Sequence, residues 1–379
     1  MPSAWGGPPA VALAVVGVLG IAVSFLARPD AARAAAAQVW SPFVLVTGLL
    51  LIGLVADDDG LFAAAGHLLG RTARSGWTLF IGATLMIALV TAVLNLDTSV
   101  AFLAPVLVYT ARSRGGGEAP LLYGCLLLSN AGSLFLPGSN LTNLIVLGHL
   151  HLTGTAFLAR MWAPALAALV VTAVVIAVFE RRALRLAPEA PSEPTRPAFG
   201  LGAAAVVTAT ILVLALPAPA LAVATVGVAA IGVRLLGRRD EPRHVLGVLG
   251  IPVLVGLFGV AVALGTLGRV WTGPATLLAH LDPSGTAGVA AVSSILVNNL
   301  PAASLLAAHA PPNPFALLIG LNLGPNLLVT GSLAWVLWLR AARNAGASPS
   351  LASASRIGVV AVPLSMAAAL AVLALTGVR

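Results

Sequence analysis

The stretch ILVNNLPAASLL, residues 295–306, followed by LNLGPNLLVTGSLAWVLWL, residues 321–339, decides how the rest of the chain is read. Both runs are apolar enough for a membrane interior, yet each is interrupted by groups that lipid does not tolerate. Asn298 and Asn299 precede Leu300-Pro301. Asparagine is a favoured helix N-cap and proline is tolerated in a first turn, so Asn299-Leu300-Pro301 reads as the start of a half-helix inside the membrane. Gly324-Pro325-Asn326 interrupts the next run. A helix broken at depth leaves backbone N–H and C=O groups without partners. Such breaks persist only where protein or a water-filled cavity covers them.

The first half carries a related pattern. Its polar pair lies in NLDTSVAFLAP, residues 95–105, and its break in LFLPGSNLTNLIV, residues 134–146. On this reading Asp97 corresponds to Asn299 and Asn140 to Asn326. Loop lengths between the motifs differ, so the internal symmetry is weak. Interrupted apolar segments at corresponding places in two halves are the strongest sequence pointer to a transporter binding site. Half-helix N-termini attract anions or oxygen-rich solutes, while unwound carbonyls and helix C-termini coordinate cations. Amides such as Asn140, Asn143, Asn322 and Asn326 both donate and accept, so they serve either kind of ligand.

Composition sets the frame around these motifs. Of 379 residues, 59% are hydrophobic and 8% charged, against about 25% charged in soluble domains. A water-soluble fold could not hide so much apolar surface, and a bilayer accepts it. Strand alternation over about ten residues is missing, so the spans are helices and the class is an all-α polytopic membrane protein. The net charge is +8 and every basic residue is arginine. These arginines sit in short loops between apolar runs, the positive-inside pattern, which argues against nucleic acid as a partner. A single cysteine, Cys125, rules out an intrachain disulfide and a thiolate metal cluster. No metal site and no cofactor are expected. Phosphate-binding loops, zinc spacings and nucleophile elbows are not found, so the chain reads as a transporter and not an enzyme. An external ATPase subunit remains compatible with that reading.

About ten to twelve apolar segments have room to span. The clear ones lie near 10–27, 40–56, 77–94, 160–179, 199–216, 220–236, 245–266 and 357–377. The first could pass for a signal peptide, but Arg28 follows the run instead of preceding it, so it reads as a retained helix. Residues 61–70 read as an amphipathic helix at the interface. The Pro-rich stretch 181–198 reads as a cytoplasmic linker. It divides an N-terminal helix and loop (1–39) and a first repeat (40–180) from a second repeat (199–379). Its arginines and those of 234–243 fall on one side of the membrane, which makes the chain a multi-pass protein of a bacterial inner membrane.

The candidate site residues follow from the motifs. Asp97 is the one carboxylate placed deep in an apolar region, at an insertion cost of about 2.5–3.5 kcal/mol. It takes up a coupling proton, ligates sodium, or caps a half-helix starting at Thr98. Ser139, Asn140, Pro325 and Asn326 mark the broken helices, and Asn298 and Asn299 the second half-helix start. Asn95, Ser129, Asn130, Asn143, Asn322 and Thr330 are candidates for lining the cavity. His149 and His151 follow a break and fit an interfacial position better than a proton relay. No intramembrane arginine stands out to clamp a carboxylate.

The run VNNLPAASLLA, residues 297–307, followed by LNLGPNLLVTGSLAWVLWLR, residues 321–340, resembles the ArsB-type arsenite efflux permeases. LDTSVAFLAPVLV, 96–108, and LLLSNAGSLFLPGSNLTNLIV, 126–146, resemble the first half of those proteins. The likeness runs over nearly all of 40–379. That family belongs to the ion transporter superfamily, with sodium/dicarboxylate symporters and NhaD-type sodium/proton antiporters. The resemblance implies two inverted repeats, each with a re-entrant hairpin and a broken helix. It implies an elevator-like movement of that core against a scaffold, commonly in a homodimer. It places the site on Asp97, Asn298, Asn299, Ser139, Asn140, Pro325 and Asn326. The sequence departs from the family at Leu96-Asp97, where the permeases carry Asn-Asp; Asn95 stands one position earlier.

The leading expectation is proton-coupled efflux of arsenite or antimonite, an uncharged trihydroxide that amides and hydroxyls hold. The others are a sodium-coupled symporter of a dicarboxylate or sulfate, a sodium/proton antiporter, and a channel or membrane subunit of a larger complex. In each the partners are the bilayer, a small ion or oxyanion-like substrate, and a coupling proton or sodium.

Overall fold

Apolar runs longer than a bilayer is thick, interrupted at fixed points by Gly, Pro and Asn, dictate long helices punctuated by short turns. The computed structural model describes residues 8–150, 152–185, 200–237 and 242–377 and follows that rule. From residue 186 the expected linker lies outside the described residues, as do His151 and Arg196.

The helices are α1 (Pro8–Ala27), α2 (Pro29–Asp58), α3 (Leu61–Thr72), α4 (Gly76–Val93), α5 (Leu96–Arg112), α6 (Ala119–Gly132), α7 (Leu141–Leu147), α8 (Gly154–Phe179), α9 (Arg181–Leu184), α10 (Leu201–Ala215), α11 (Ala220–Leu236), α12 (Pro242–Leu249), α13 (Ile251–Val270), α14 (Gly273–Ala279), α15 (Pro283–Val297), α16 (Asn299–Leu306), α17 (Pro314–Leu323), α18 (Leu333–Asn344) and α19 (Leu351–Leu375). Among the described residues six helices are long and apolar enough to cross a membrane, and α6, α10, α11, α15 and α17 are shorter apolar helices. The chain is a multi-pass, all-α membrane protein. Leu166, Val170, Val174 and Val178 form an exposed apolar stripe along α8 at helical spacing, a lipid-facing surface.

Two details differ from the sequence reading. Residues 29–39, expected to include a loop, are helical: Pro29 occupies the first turn of α2, which runs unbroken through residue 40. The apolar run 245–266 is split at Gly250, whose φ of 57° separates amphipathic α12 from α13.

One succession of elements occurs twice. A long helix (α2, α13) leads to a short helix (α3, α14), then a helix pair joined at a tip (α4–α5, α15–α16). A broken helix (α6–α7, α17–α18) and a long helix (α8, α19) follow. Packing mirrors this order. α1 lies along α13, and α11 lies along α2, so each repeat's long helix is flanked by a helix from the other half of the chain. Small residues make both seams close: Gly17 meets Gly256 and Gly259 backbone to backbone, and Gly48 meets Ala224 and Gly227. α8 packs on α19. α6 packs against α18 and α7 against α17, so the two broken helices run antiparallel and cross where they break.

The two hairpins enter from opposite ends of the molecule. At one end Arg234 pairs with Asp59, Gly202 N–H donates to Asp59 Oδ2 (2.7 Å), Arg114 donates to Ala73 O (2.5 Å) and Arg112 to Gly346 O (2.8 Å). The base of α4–α5 belongs to this arginine-rich end. At the other end Gln38 Nε2 donates to Ala307 O (2.8 Å), just past α16, and Asn313 Nδ2 donates to Leu281 O (3.1 Å), just before α15. The base of α15–α16 lies there.

Candidate functional site

The hairpin tips and helix breaks lie between the two ends of the molecule, so α5, α7, α16 and α18 begin there and α4, α6, α15 and α17 end there. Helix ends leave unpaired N–H and C=O groups, and side chains must satisfy them. Asn95 caps α5, its Oδ1 accepting from Thr98 N–H at 2.6 Å. Asn140 caps α7, accepting from Thr142 N–H at 3.2 Å. Asn298 caps α16, accepting from Leu300 N–H at 3.4 Å. Ser332 stands at the N-cap of α18 with no such side-chain bond. The structural counterparts are therefore Asn95 with Asn298 and Asn140 with Ser332, a different register from the Asp97–Asn299 and Asn140–Asn326 pairs inferred from sequence. Asp97 does not cap; it is the second residue of α5, half-buried, and makes no hydrogen bond or ion pair with a described residue.

Asn322, at the end of α17, joins the two broken helices. Its Oδ1 accepts from Ser133 Oγ (2.6 Å) and Asn140 Nδ2 (2.7 Å), and its Nδ2 donates to Asn143 Oδ1 (2.8 Å) and Leu318 O (2.8 Å). Asn143 Nδ2 donates on to Ser133 O at 2.7 Å. All of these side chains are buried, and the amide of Asn322 has its full complement of partners. Asn322, Asn140 and Asn143 therefore tie the crossing together, and Ser133, which the sequence reading passed over, belongs to the same knot. Its signal was its place one residue past α6, where a hydroxyl can bond back to the helix, as it does to Asn130 O at 2.7 Å.

Each tip is tied to its own break. Ser139 Oγ donates to Ala92 O (3.1 Å) at the end of α4. Asn299 N–H donates to Gly331 O (2.9 Å), Asn298 Nδ2 to Thr330 O (3.3 Å) and Thr330 Oγ1 to Ile295 O (2.8 Å). Ser99 and Ser129 hydroxyls lie 3.3 Å apart between α5 and α6. Asn326, next to Pro325, donates from Nδ2 to Leu127 O at 3.0 Å. Trp335 Nε1 donates to Pro325 O (2.8 Å), satisfying a carbonyl that the break frees.

Several buried polar atoms around the crossing have no partner among the described residues: Asn95 Nδ2, Thr98 Oγ1, Asn130 Oδ1, Thr142 Oγ1, Asn326 Oδ1 and Ser332 Oγ. Each such group costs about 1–3 kcal/mol unless something else pairs with it. Donors, hydroxyls and amide oxygens are all represented, so a small polar solute or ion can be held without a charged side chain.

A separate cavity of about 480 Å³ opens at the end opposite the arginine-rich one. It reaches Pro137 and Gly138, the first break, and is also lined by Gln38, His149 and Arg269. Arg269 is the arginine that sequence reading missed. It closes an apolar run as any flanking arginine does, and only the fold shows it turned into a cavity.

Re-entrant hairpins and antiparallel broken helices gathered around one interior polar knot define a secondary transporter, not an enzyme. The sequence profile of the CitMHS family, described as citrate transporters, matches residues 4–338, and the chain belongs to that family. Among solved structures, the YdaH transporter of Alcanivorax borkumensis, described as having an unusual topology, matches with a TM-score of 0.55. The match covers 97% of this chain and 98% of that one at 16% identity, a likeness of fold.

Proposed function

We propose that this protein is a secondary active carrier that moves a small oxygen-rich anion across a bacterial inner membrane, coupled to a proton or sodium ion. The observation that carries the reading is the convergence of helix ends. α5, α16 and α18 bring N-terminal N–H groups to the interior, which favour an anion, and α4, α6, α15 and α17 bring C-terminal carbonyls, which favour a cation. A site with both polarities suits coupled transport of two ions. By the positive-inside rule the arginine-rich end is cytoplasmic. The hairpins and broken helices form the moving core, α1, α2, α11 and α13 the scaffold, and displacement of one against the other gives elevator-like alternating access. Residues 40–180 and 199–379 supply the two repeats, and a homodimer is the working unit. Asp97, an ionisable carboxyl without a partner among the described residues, carries the coupling ion, with Asn95, Thr98, Asn298, Asn299 and Asn326 nearest the substrate.

A second reading rests on the neutral side chains at the crossing. Asn130, Asn326, Thr98 and Ser332 also suit an uncharged trihydroxide, so proton-coupled efflux of arsenite or antimonite competes with anion transport. Proteoliposomes separate the two. Flux of citrate, succinate, sulfate and arsenite is followed under imposed proton and sodium gradients, with Asp97→Asn beside the wild type. Gradient-driven citrate or succinate flux that Asp97→Asn abolishes supports the anion carrier. Arsenite flux alone replaces it with the efflux reading. Equal flux in both proteins removes Asp97 from the coupling role.

A further inference from the structure

The geometry points to a second anion site, distinct from the crossing: the cavity lined by Arg269, Gln38 and His149 is where a multi-oxygen anion docks before it reaches the first break. The inference deepens the anion reading above, but the binding it asserts can be measured without any transport.

Arg269 sits near the end of α13 and is half-buried. Among the described residues its guanidinium is bonded to neutral acceptors alone: Gln38 Oε1 at 2.7 Å, Gly265 O at 2.9 Å and Ala34 O at 3.4 Å. Among the described residues no carboxylate lines the cavity. Asp30, on the same α2, is committed to Arg33 at 2.9 Å, and both are exposed. A half-buried cation paired with neutral groups leaves attraction for an anion unspent, and a guanidinium retains donors beyond those three contacts. The volume suits such a ligand, since small-molecule sites run from about 300 to 1,000 Å³.

The surroundings are built as well. Gln38 is held from three sides. Its Nε2 donates to Ile145 O (3.1 Å) of α7 and Ala307 O (2.8 Å) past α16, while its Oε1 receives Arg269. His149 Nε2 lies 2.9 Å from Ala307 O. Arg269 is therefore positioned by groups from α2, α7 and the second hairpin. The far wall is Pro137-Gly138, where α6 gives way to the turn before α7. An anion held at Arg269 stands at the mouth of the broken helix.

The test is calorimetric titration of the purified full-length protein in detergent with citrate, and separately with sulfate, at low and high salt. Four proteins are compared: wild type, Arg269→Gln, Arg269→Lys and Gln38→Glu. Arg269→Gln should weaken binding about tenfold or more, and Arg269→Lys should recover part of the loss. Gln38→Glu keeps the arginine but sets a carboxylate against it, so it should weaken binding as well and guard against misfolding of the first variant. Citrate bound with sulfate excluded makes the ligand a carboxylate; both bound makes it any multi-oxygen anion; either supports the site. Binding unchanged in Arg269→Gln and Gln38→Glu overturns it, as does a wild type that binds neither. Arg269-dependent binding in a protein that moves no anion in proteoliposomes keeps the site and discards the transport reading instead.

Discussion

The two hairpin tips follow one plan, a short turn with an asparagine cap, and are unequally exposed. At the first, Leu94, Asn95, Leu134 and Asn140 are buried. At the second, Leu296 is 75% exposed, Leu328 47% and Val297 46%. At the first break Leu45 and Leu49 of α2 and Val213 of α10, which packs on α2 and α8, close over Gly138. The second break itself is buried under α19, whose Gly358 meets Asn326; the exposed residues lie on the tip, at Leu296 and Val297, and just past the break, at Leu328. Exposure is the plainest difference between the two tips.

The strongest way to break the comparison is to remove what joins the halves. Asn322→Leu deletes four hydrogen bonds and leaves Ser133, Asn140 and Asn143 buried without that partner. The loss should be about 3 kcal/mol or more, seen as a lower melting temperature in detergent together with loss of flux. Thr330→Val, in the exposed turn after the second break, deletes one exposed bond and should cost less than about 1 kcal/mol. Similar losses in the two variants would mean that the crossing holds no special share of the stability.

The helix seams test equivalence where exposure plays no part. Gly259 lies against Gly17 in the α1–α13 seam, and Gly227 against Gly48 in the α2–α11 seam. Leucine at either glycine forces two backbones apart, and overpacking of this kind costs about 1–3 kcal/mol. Gly259→Leu and Gly227→Leu should therefore lower the melting temperature alike. A large inequality would show that the seams, too, differ between the halves.

Accessibility sharpens the contrast directly. In a Cys125→Ala background, cysteines at Val297 and Leu328 should react with a membrane-permeant maleimide several-fold faster than cysteines at Leu94 and Leu134, because thiol reactivity follows exposure. Equal rates would mean that the first tip opens as readily as the second, and the asymmetry would lose its meaning.

These regions also show what sequence reading reaches. The breaks at Pro137–Ser139 and Gly324–Leu327, the tip at Asn298 and the amphipathic α3 were legible, because Gly, Pro and Asn inside apolar runs act on local backbone. The capping residue of α5 was not. Asn95 and Asp97 are both good caps within one turn, and only the backbone selects Asn95. Arg269 was hidden for another reason: its partner Gln38 lies 231 residues away, and no local pattern announces it. The pairing of α1 with α13 was hidden likewise, since glycine spacing marks a close-packing face but not the helix it meets.

The finest distinction between the tips lies in their backbones. Asn298 has φ 76° and ψ 149°, and it is the one non-glycine with positive φ among the described residues. That region is close to glycine-only, and holding asparagine there costs about 1–3 kcal/mol. Asn95, its counterpart, has φ −175°, extended backbone that any residue adopts. Glycine should therefore act with opposite sign at the two tips. Asn298→Gly relieves strain and gives up only long bonds, 3.4 Å from Leu300 N–H and 3.3 Å to Thr330 O, so stability should rise, by less than about 1 kcal/mol. Asn95→Gly has no strain to relieve and loses a 2.6 Å cap, so stability should fall by about 1 kcal/mol. Melting temperatures of the two variants decide it. If both fall, the second tip is not strained, and exposure alone distinguishes the tips. If they move apart, the exposed tip also stores strain, and a solute that lets Asn298 relax would draw on it.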